Sequence, residues 1–298
     1  MSGIKVGFVL SPFETREGRV PSWDELRSAA LIAEQAAFDM VWIPDELVWD
    51  SDEGGEPRGW WECATMCGAL AEATSTVGIG TWVLSALHRN PGVLAKMVET
   101  LDEVSGGRFV FGFGAGHAAR QGEAFGFPLD KTVGRYVDAL DIVVPLLRTG
   151  FVDFEGEYHS ARRQVLRPRG PRSGKVPLML GGHGPRTMRL AVQYADIWSA
   201  YTTNSSSPEG FSSRFKLLDE LCESEGRDSD TLKRSIGLVV TLDPDDENPG
   251  TCTVDEVVQN LDAFADMGCD RLELWVPNDP PIASVEALAT VAENAAAL

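Results

Sequence analysis

Eight short apolar or β-branched runs recur along the chain, and most are followed by a longer stretch with helical periodicity. The runs are KVGFVL (5–10), MVWIP (40–44), VGIGTWVLS (77–85), RFVFGF (108–113), PLMLGG (177–182), DIWSAY (196–201), SIGLVVTL (235–242) and RLELWVP (271–277). Between them lie single apolar stripes. Leu94, Met97, Val98 and Leu101 form one, Val137, Leu140, Val144 and Leu147 a second, and Val254, Val257, Val258, Leu261 and Phe264 a third. One stripe per helix is what a helix lying on a sheet needs. Alternating strands and helices predict parallel strands, and eight tilted strands close a cylinder. The expected fold is therefore α/β, a TIM (β/α)8 barrel. A doubly wound open sheet is the rival. It would usually stop at five or six strands and carry GxGxxG in its first turn. Here the first strand runs into LSPFE, and the glycine turn after the fourth, GFGAGH, has His117 where the third glycine would stand.

The whole chain, 1–298, reads as one barrel with an excursion at 149–176. That excursion is expected to be a hairpin followed by a basic turn. The loop after the second strand, LVWDSDEGGEPRGWW, is long, acidic and tipped with tryptophan, and is expected to serve as a lid.

Composition narrows the function. The 26 Lys and Arg face 45 Asp and Glu, a formal charge of −19. Such a surface repels phosphate backbones, so no nucleic-acid partner is expected. No apolar run reaches membrane-spanning length, and the N-terminal residues show no cleavable signal pattern. Five scattered cysteines suit a reducing cytoplasm, the expected location. Cys63 and Cys67 are one helical turn apart, but no further ligand pattern follows, so no metal is expected.

Chemistry in such barrels sits at the C-terminal ends of the strands. The fifth strand leads into GGHGPRT: Gly181, Gly182, His183, Gly184, Pro185, Arg186 and Thr187. Gly184 and Pro185 suit a helix start, whose free N–H groups bind anions. A cation such as Arg186 in a first helical turn opposes the helix dipole unless an anion sits between them. The fourth strand exits through Gly114, Ala115, Gly116 and His117, read as a smooth wall for a planar ligand with a titratable rim. Asp45 and Glu46 end the second strand as a carboxylate pair, able to polarise a substrate or to cap the lid loop.

Together these motifs resemble the luciferase-like flavin and deazaflavin oxidoreductases. The resemblance rests on VWIPDE (41–46), GIGTWVLSALHRNPGVLAKMVETLDEVSGGRFVFGFGAG (78–116), FGFP with GRYVDALDIV (125–143), FEGEYH (154–159) and PLMLGGHGPRTMRLAVQYADIW (177–198). It implies coenzyme F420 or FMN at the C-terminal face, with a cis peptide at Trp82–Val83 pressing on the ring. It also implies that Ala115 and Gly116 lie near the ring, and that the turn at Gly182, Gly184, Arg186 and Thr187 grips phosphate. Deazaflavin members often have Asp-His where this chain has Asp45-Glu46. Asp45 is carried over as a cofactor residue, and Glu46 or His117 becomes the proton donor. The short exit DPDDENPGT after the seventh strand suits the compact F420-dependent members. The expected activity is hydride transfer between reduced F420 and a small organic substrate, by a homodimer. The alternatives are an FMN-dependent monooxygenase using oxygen and a non-catalytic flavin-binding protein.

Overall fold

A computed structural model of the chain describes residues 3–15, 18–49, 56–116, 120–201, 205–243, 245–246, 248 and 250–297. The barrel strands are β1 (Lys5–Val9), β2 (Met40–Ile43), β3 (Gly78–Thr81), β4 (Phe109–Gly114), β5 (Leu178–Gly181), β6 (Ile197–Tyr201), β7 (Lys233–Thr241) and β8 (Arg271–Trp275). Each pairs in parallel with the next, and β8 returns to β1. The β4–β5 register, Phe111 opposite Leu178, joins the two halves and closes the cylinder. The eight apolar runs are thus the eight staves. The third run departs from expectation: β3 ends at Thr81, the chain bulges through Trp82 and Val83, and Leu84–Ser85 resumes pairing with β4.

The barrel helices are α1 (Trp23–Gln35), α2 (Cys63–Ala73), α3 (Pro91–Val104), α4 (Thr132–Thr149), α5 (Pro185–Tyr194), α6 (Glu209–Glu225), α7 (Val254–Asp266) and α8 (Pro281–Ala296). Local chemistry starts several of them. Ser22 with Glu25, and Thr253 with Glu256, form capping boxes, and Asn90 caps α3 ahead of Pro91. The α3 and α7 stripes bury Leu94, Val98 and Leu101, and Val257, Leu261 and Phe264. In α4 the buried face is turned one residue from the expected stripe. Tyr136, Leu140, Val143 and Leu147 are inside, and Val137 and Val144 lie at the edge. The aromatic ring of Tyr136 decides this, packing at 5.1 Å against Phe113 and donating to its carbonyl oxygen at 3.2 Å.

The excursion is an antiparallel pair, Phe151–Glu155 with Ser160–Val165. The basic turn after it anchors the excursion to the barrel. Arg169 pairs with buried Glu99 at 2.6 Å and Arg172 with buried Asp102 at 2.6 Å, both acids on α3. No helix among the described residues is long and apolar enough to cross a membrane.

Candidate active site

The C-terminal mouth of the barrel has two unlike halves, set by strand order. Around the cylinder β8, β1 and β2 are neighbours, and they stand across from β4 and β5. The first half is aromatic. Phe13, after β1, stacks on Trp60 at 4.5 Å and on Trp49 at 5.8 Å. Trp275, closing β8, meets Phe13 edge-on at 6.3 Å. Trp49 ends one strand of a short antiparallel pair, Val48–Trp49 with Arg58–Gly59, at the base of the expected lid, and Trp60 follows the other. The tip of that loop, 50–55, lies outside the described residues.

The second half is built from glycine. The peptide bond between Trp82 and Val83 is cis, where the resemblance places it. The glycines of GFGAG serve this bulge. A Cβ on Gly112 would stand 1.8 Å from the Thr81 carbonyl oxygen, and one on Gly114 would stand 2.7 Å from Val83 Cγ2. A Cβ on Gly116 would meet Ser85 Oγ at 2.2 Å. These glycines let the third and fourth strands close on each other, which packs Val83 against Gly112 and Gly114. Ala115 is half-buried and Gly116 exposed beside it. His117 lies outside the described residues.

Next to the bulge, β5 opens into the anticipated turn. Gly184 begins α5 in an extended conformation, without a side-chain cap on the helix N–H groups. A Cβ on Gly182 would collide with Thr187 Oγ1 at 2.4 Å, so the turn folds tightly on its own helix. His183, Gly184, Pro185 and Arg186 are exposed, and Gly181, Gly182 and Thr187 half-buried. Arg214 of α6 joins them. Partial burial, then the charge of Arg214, hold the His183 imidazole below its usual range. Among the described residues no ion pair holds Arg186 or Arg214, in a chain of net charge −19. Arg214 is a residue that sequence reading missed, since nothing in EGFSSRF marks it as facing a turn far earlier in the chain.

Asp45 and Glu46 separate in role. The Asp45 side chain has 0% exposure. Its Oδ2 accepts from the Ser85 backbone N–H at 2.8 Å and from Arg89 at 2.7 Å, and its Oδ1 accepts from Arg89 at 2.9 Å. His88 Nδ1 lies 3.2 Å from Oδ2. Burial alone would raise the Asp45 pKa, but the hydrogen bonds of His88 and Arg89 and the charge of Arg89 outweigh it and hold the carboxyl low. The Asp45 carboxylate thus ties the β2 exit to Ser85 and Arg89 of the β3 exit. Glu46 is half-buried and takes a hydrogen bond from Gln121, whose own Oε1 accepts from the Leu47 N–H at 2.9 Å.

His88 is a residue that sequence reading missed, since nothing in SALHRN marks it as lying against Asp45. It comes from the β3 exit, stacks on Phe127 at 5.2 Å and lines a cavity of about 300 Å³ with Arg89, Arg135 and His159. Among the described residues no group of His, Cys, Asp and Glu could hold a metal ion.

The family model of the luciferase-like monooxygenases matches residues 4–249. F420-dependent glucose-6-phosphate dehydrogenase of Microbacterium testaceum (strain StLB037) is 31% identical over 228 residues, 74% of this chain and 65% of that protein. 5,10-Methylenetetrahydromethanopterin reductase of Archaeoglobus fulgidus is 27% identical over 221 residues, 74% of this chain and 61% of that protein. Both matches span less than two thirds of the relative's length. Among solved structures, an F420-dependent secondary alcohol dehydrogenase in complex with an F420-acetone adduct superposes with a TM-score of 0.81, at 19% identity over 99% of each chain. A riboflavin lyase holding modified FMN gives 0.79 at 14% identity, over 98% of this chain and 91% of the other. These two share the fold. From the match over most of its length, the chain belongs to the luciferase-like monooxygenase family.

Proposed function

We propose that the protein is an F420-dependent oxidoreductase acting on a small organic molecule. One observation carries this reading: the uncapped start of α5, with Arg186 and Arg214 beside it and no acid paired to either among the described residues. Helix N–H groups and two cations fit a phosphate. The neighbouring bulge supplies a flat apolar wall. In the proposed complex Gly181 to Thr187 and Arg214 hold the phosphate, and Val83, Ala115 and Gly116 bear on the ring. When bound, the cofactor supplies the hydride. The relative at 31% identity is named as F420-dependent, which favours F420 over FMN. The segment between β7 and α7 is short, Leu242 to Thr253, and its last three residues form a strand paired with β7, which agrees.

The chain's own residues orient and protonate. Asp45 positions the β3 exit. Glu46, with Gln121 fixing its carboxylate, carries the proton to or from substrate, and His117 is the other group proposed for that step. Replacing Glu46→Gln is expected to lower hydride transfer about 10²-fold, within the range for general acid–base groups, while F420 affinity holds. An unchanged rate moves the proton to His117.

Cofactor choice is tested by titrating the protein with F420 and with FMN. Arg186→Ala is expected to weaken F420 binding on the order of tenfold or more, the loss of one charge-assisted hydrogen bond. Equal affinity in the two proteins removes Arg186 from the site. F420 binding without turnover on any organic substrate would favour a carrier protein.

A further inference from the structure

The phosphate turn and the Val83 side of the bulge account for one half of the mouth and leave the aromatic half, which Trp82 of the bulge joins, without a role. Its rings form a continuous surface. Phe13, Trp49 and Trp60 stack within 15° of parallel, Trp275 stands edge-on to Phe13 and Trp49, and Trp82 stands edge-on to Tyr201 at 5.3 Å and to Trp275 at 6.3 Å. Trp49, Trp60, Trp82 and Tyr201 are only half-buried, so the surface is not sealed as a core would be. Surface aromatic clusters of this kind are costly in water and mark binding sites.

Charge is scarce there. The one described cation against these rings is Arg58, and it is already engaged. Its guanidinium lies 5.6 Å from the Phe13 centroid and 5.5 Å from that of Trp49, and donates to the Glu14 carbonyl oxygen at 3.1 Å. A sugar phosphate needs free cations, and the cation that the described residues present here, Arg58, is already bonded. One polar atom lacks a partner: Trp60 Nε1 is buried with no hydrogen-bond acceptor among the described residues. A buried donor without a partner calls for an acceptor. Trp275 Nε1, by contrast, is satisfied by Ser11 Oγ at 2.9 Å.

We infer that the aromatic half is the substrate subsite, and that it takes a flat, uncharged, ring-bearing compound with an acceptor oxygen for Trp60. This deepens the proposed function and rests on it. The subsite faces the cofactor half across the mouth, β8, β1 and β2 against β4 and β5, so a ring bound here extends over the bulge at Val83. Offset or edge-on rings interact beyond the area they bury, which makes flatness a selective property.

The test uses the full chain loaded with oxidised F420, which has no hydride to give the ketone and would be reduced, with loss of its absorbance, by a sugar phosphate that the protein oxidised. Loading is first measured by the cofactor's own absorbance. Isothermal titration then compares 2-acetylnaphthalene with glucose 6-phosphate. The ketone is expected to bind and the sugar phosphate to give no heat. Trp49→Ala is expected to weaken the ketone about tenfold, from the loss of ring contacts, and Trp49→Phe to restore most of it. Trp60→Phe keeps a ring and loses the N–H, so about a fivefold loss is expected. Thermal melting checks that each variant is folded. Sugar-phosphate binding as tight as the ketone, or ketone binding unmoved by Trp49→Ala and Trp60→Phe in folded protein, overturns the inference. Failure of F420 to load overturns the proposed function instead.

Discussion

Asp45 shows how much of one residue can be read in a sequence and how much cannot. Its place at the end of β2 was legible, because a strand exit in a barrel is a functional address. Its partners were not. Arg89 and His88 lie 44 and 43 positions away, and only the closed sheet brings the β3 exit under the β2 exit. The same holds for Arg214, which α6 delivers to the β5 turn. The buried pair gives a stability prediction. Asp45→Asn removes the charge opposite Arg89, which keeps Glu62 as a second partner, so the cost is about 3 kcal/mol, the low end for breaking a buried pair. Urea denaturation at pH 7 measures it; a change under about 0.5 kcal/mol would contradict the buried pairing. The pH dependence has a definite sign. The folded carboxyl titrates below its ordinary value of 3.8, so its contribution is complete above that value and is lost as pH falls below it, toward the lowered folded pKa.

At the scale of elements, the eight strands were legible because each is a short apolar run that a helix pattern follows or a turn bounds. The excursion was legible as a hairpin. What pattern could not supply was the reason for the glycines of GFGAG. Period and composition announce that something approaches them, without saying whether it is a ligand or a neighbouring strand. Here the neighbour is the β3 bulge. Gly112→Ala is therefore expected to destabilise by more than about 3 kcal/mol, since the new Cβ meets backbone at 1.8 Å and neither strand can retreat without opening the barrel. Gly68→Ala is the contrasting case. Gly68 is inside α2, its Cβ would meet only Leu101 Cδ2 at 3.7 Å, and a gain of about 0.5–1 kcal/mol is expected. Thermal melts of both variants measure the pair; similar effects of the same sign would show that the bulge is not packed as described. In α4 the stripe was one residue out of phase because Val137 and Val144 satisfy helical period as well as Tyr136 and Val143 do. Only the contact of Tyr136 with Phe113 separates the two faces.

For the whole molecule, the closed parallel sheet turns a linear order of motifs into a circular one, and that circle is what gives the mouth two sides. A glycine-built side with an uncapped helix start stands across from an aromatic side on which, among the described residues, Arg58 is the cation against the rings. The formal charge of −19 makes exposed Arg186 and half-buried Arg214 at the β5 turn stand out as a local exception. The central claim is that this turn holds the phosphate of F420. The most direct measurement is an equilibrium titration of the unmodified protein with F420 and with FMN at fixed ionic strength, repeated for Arg186→Ala. The account predicts one F420 bound per chain, tighter than FMN, with affinity lost on the order of tenfold in the variant. Absence of F420 binding, or tight F420 binding that Arg186→Ala leaves unchanged, would contradict it.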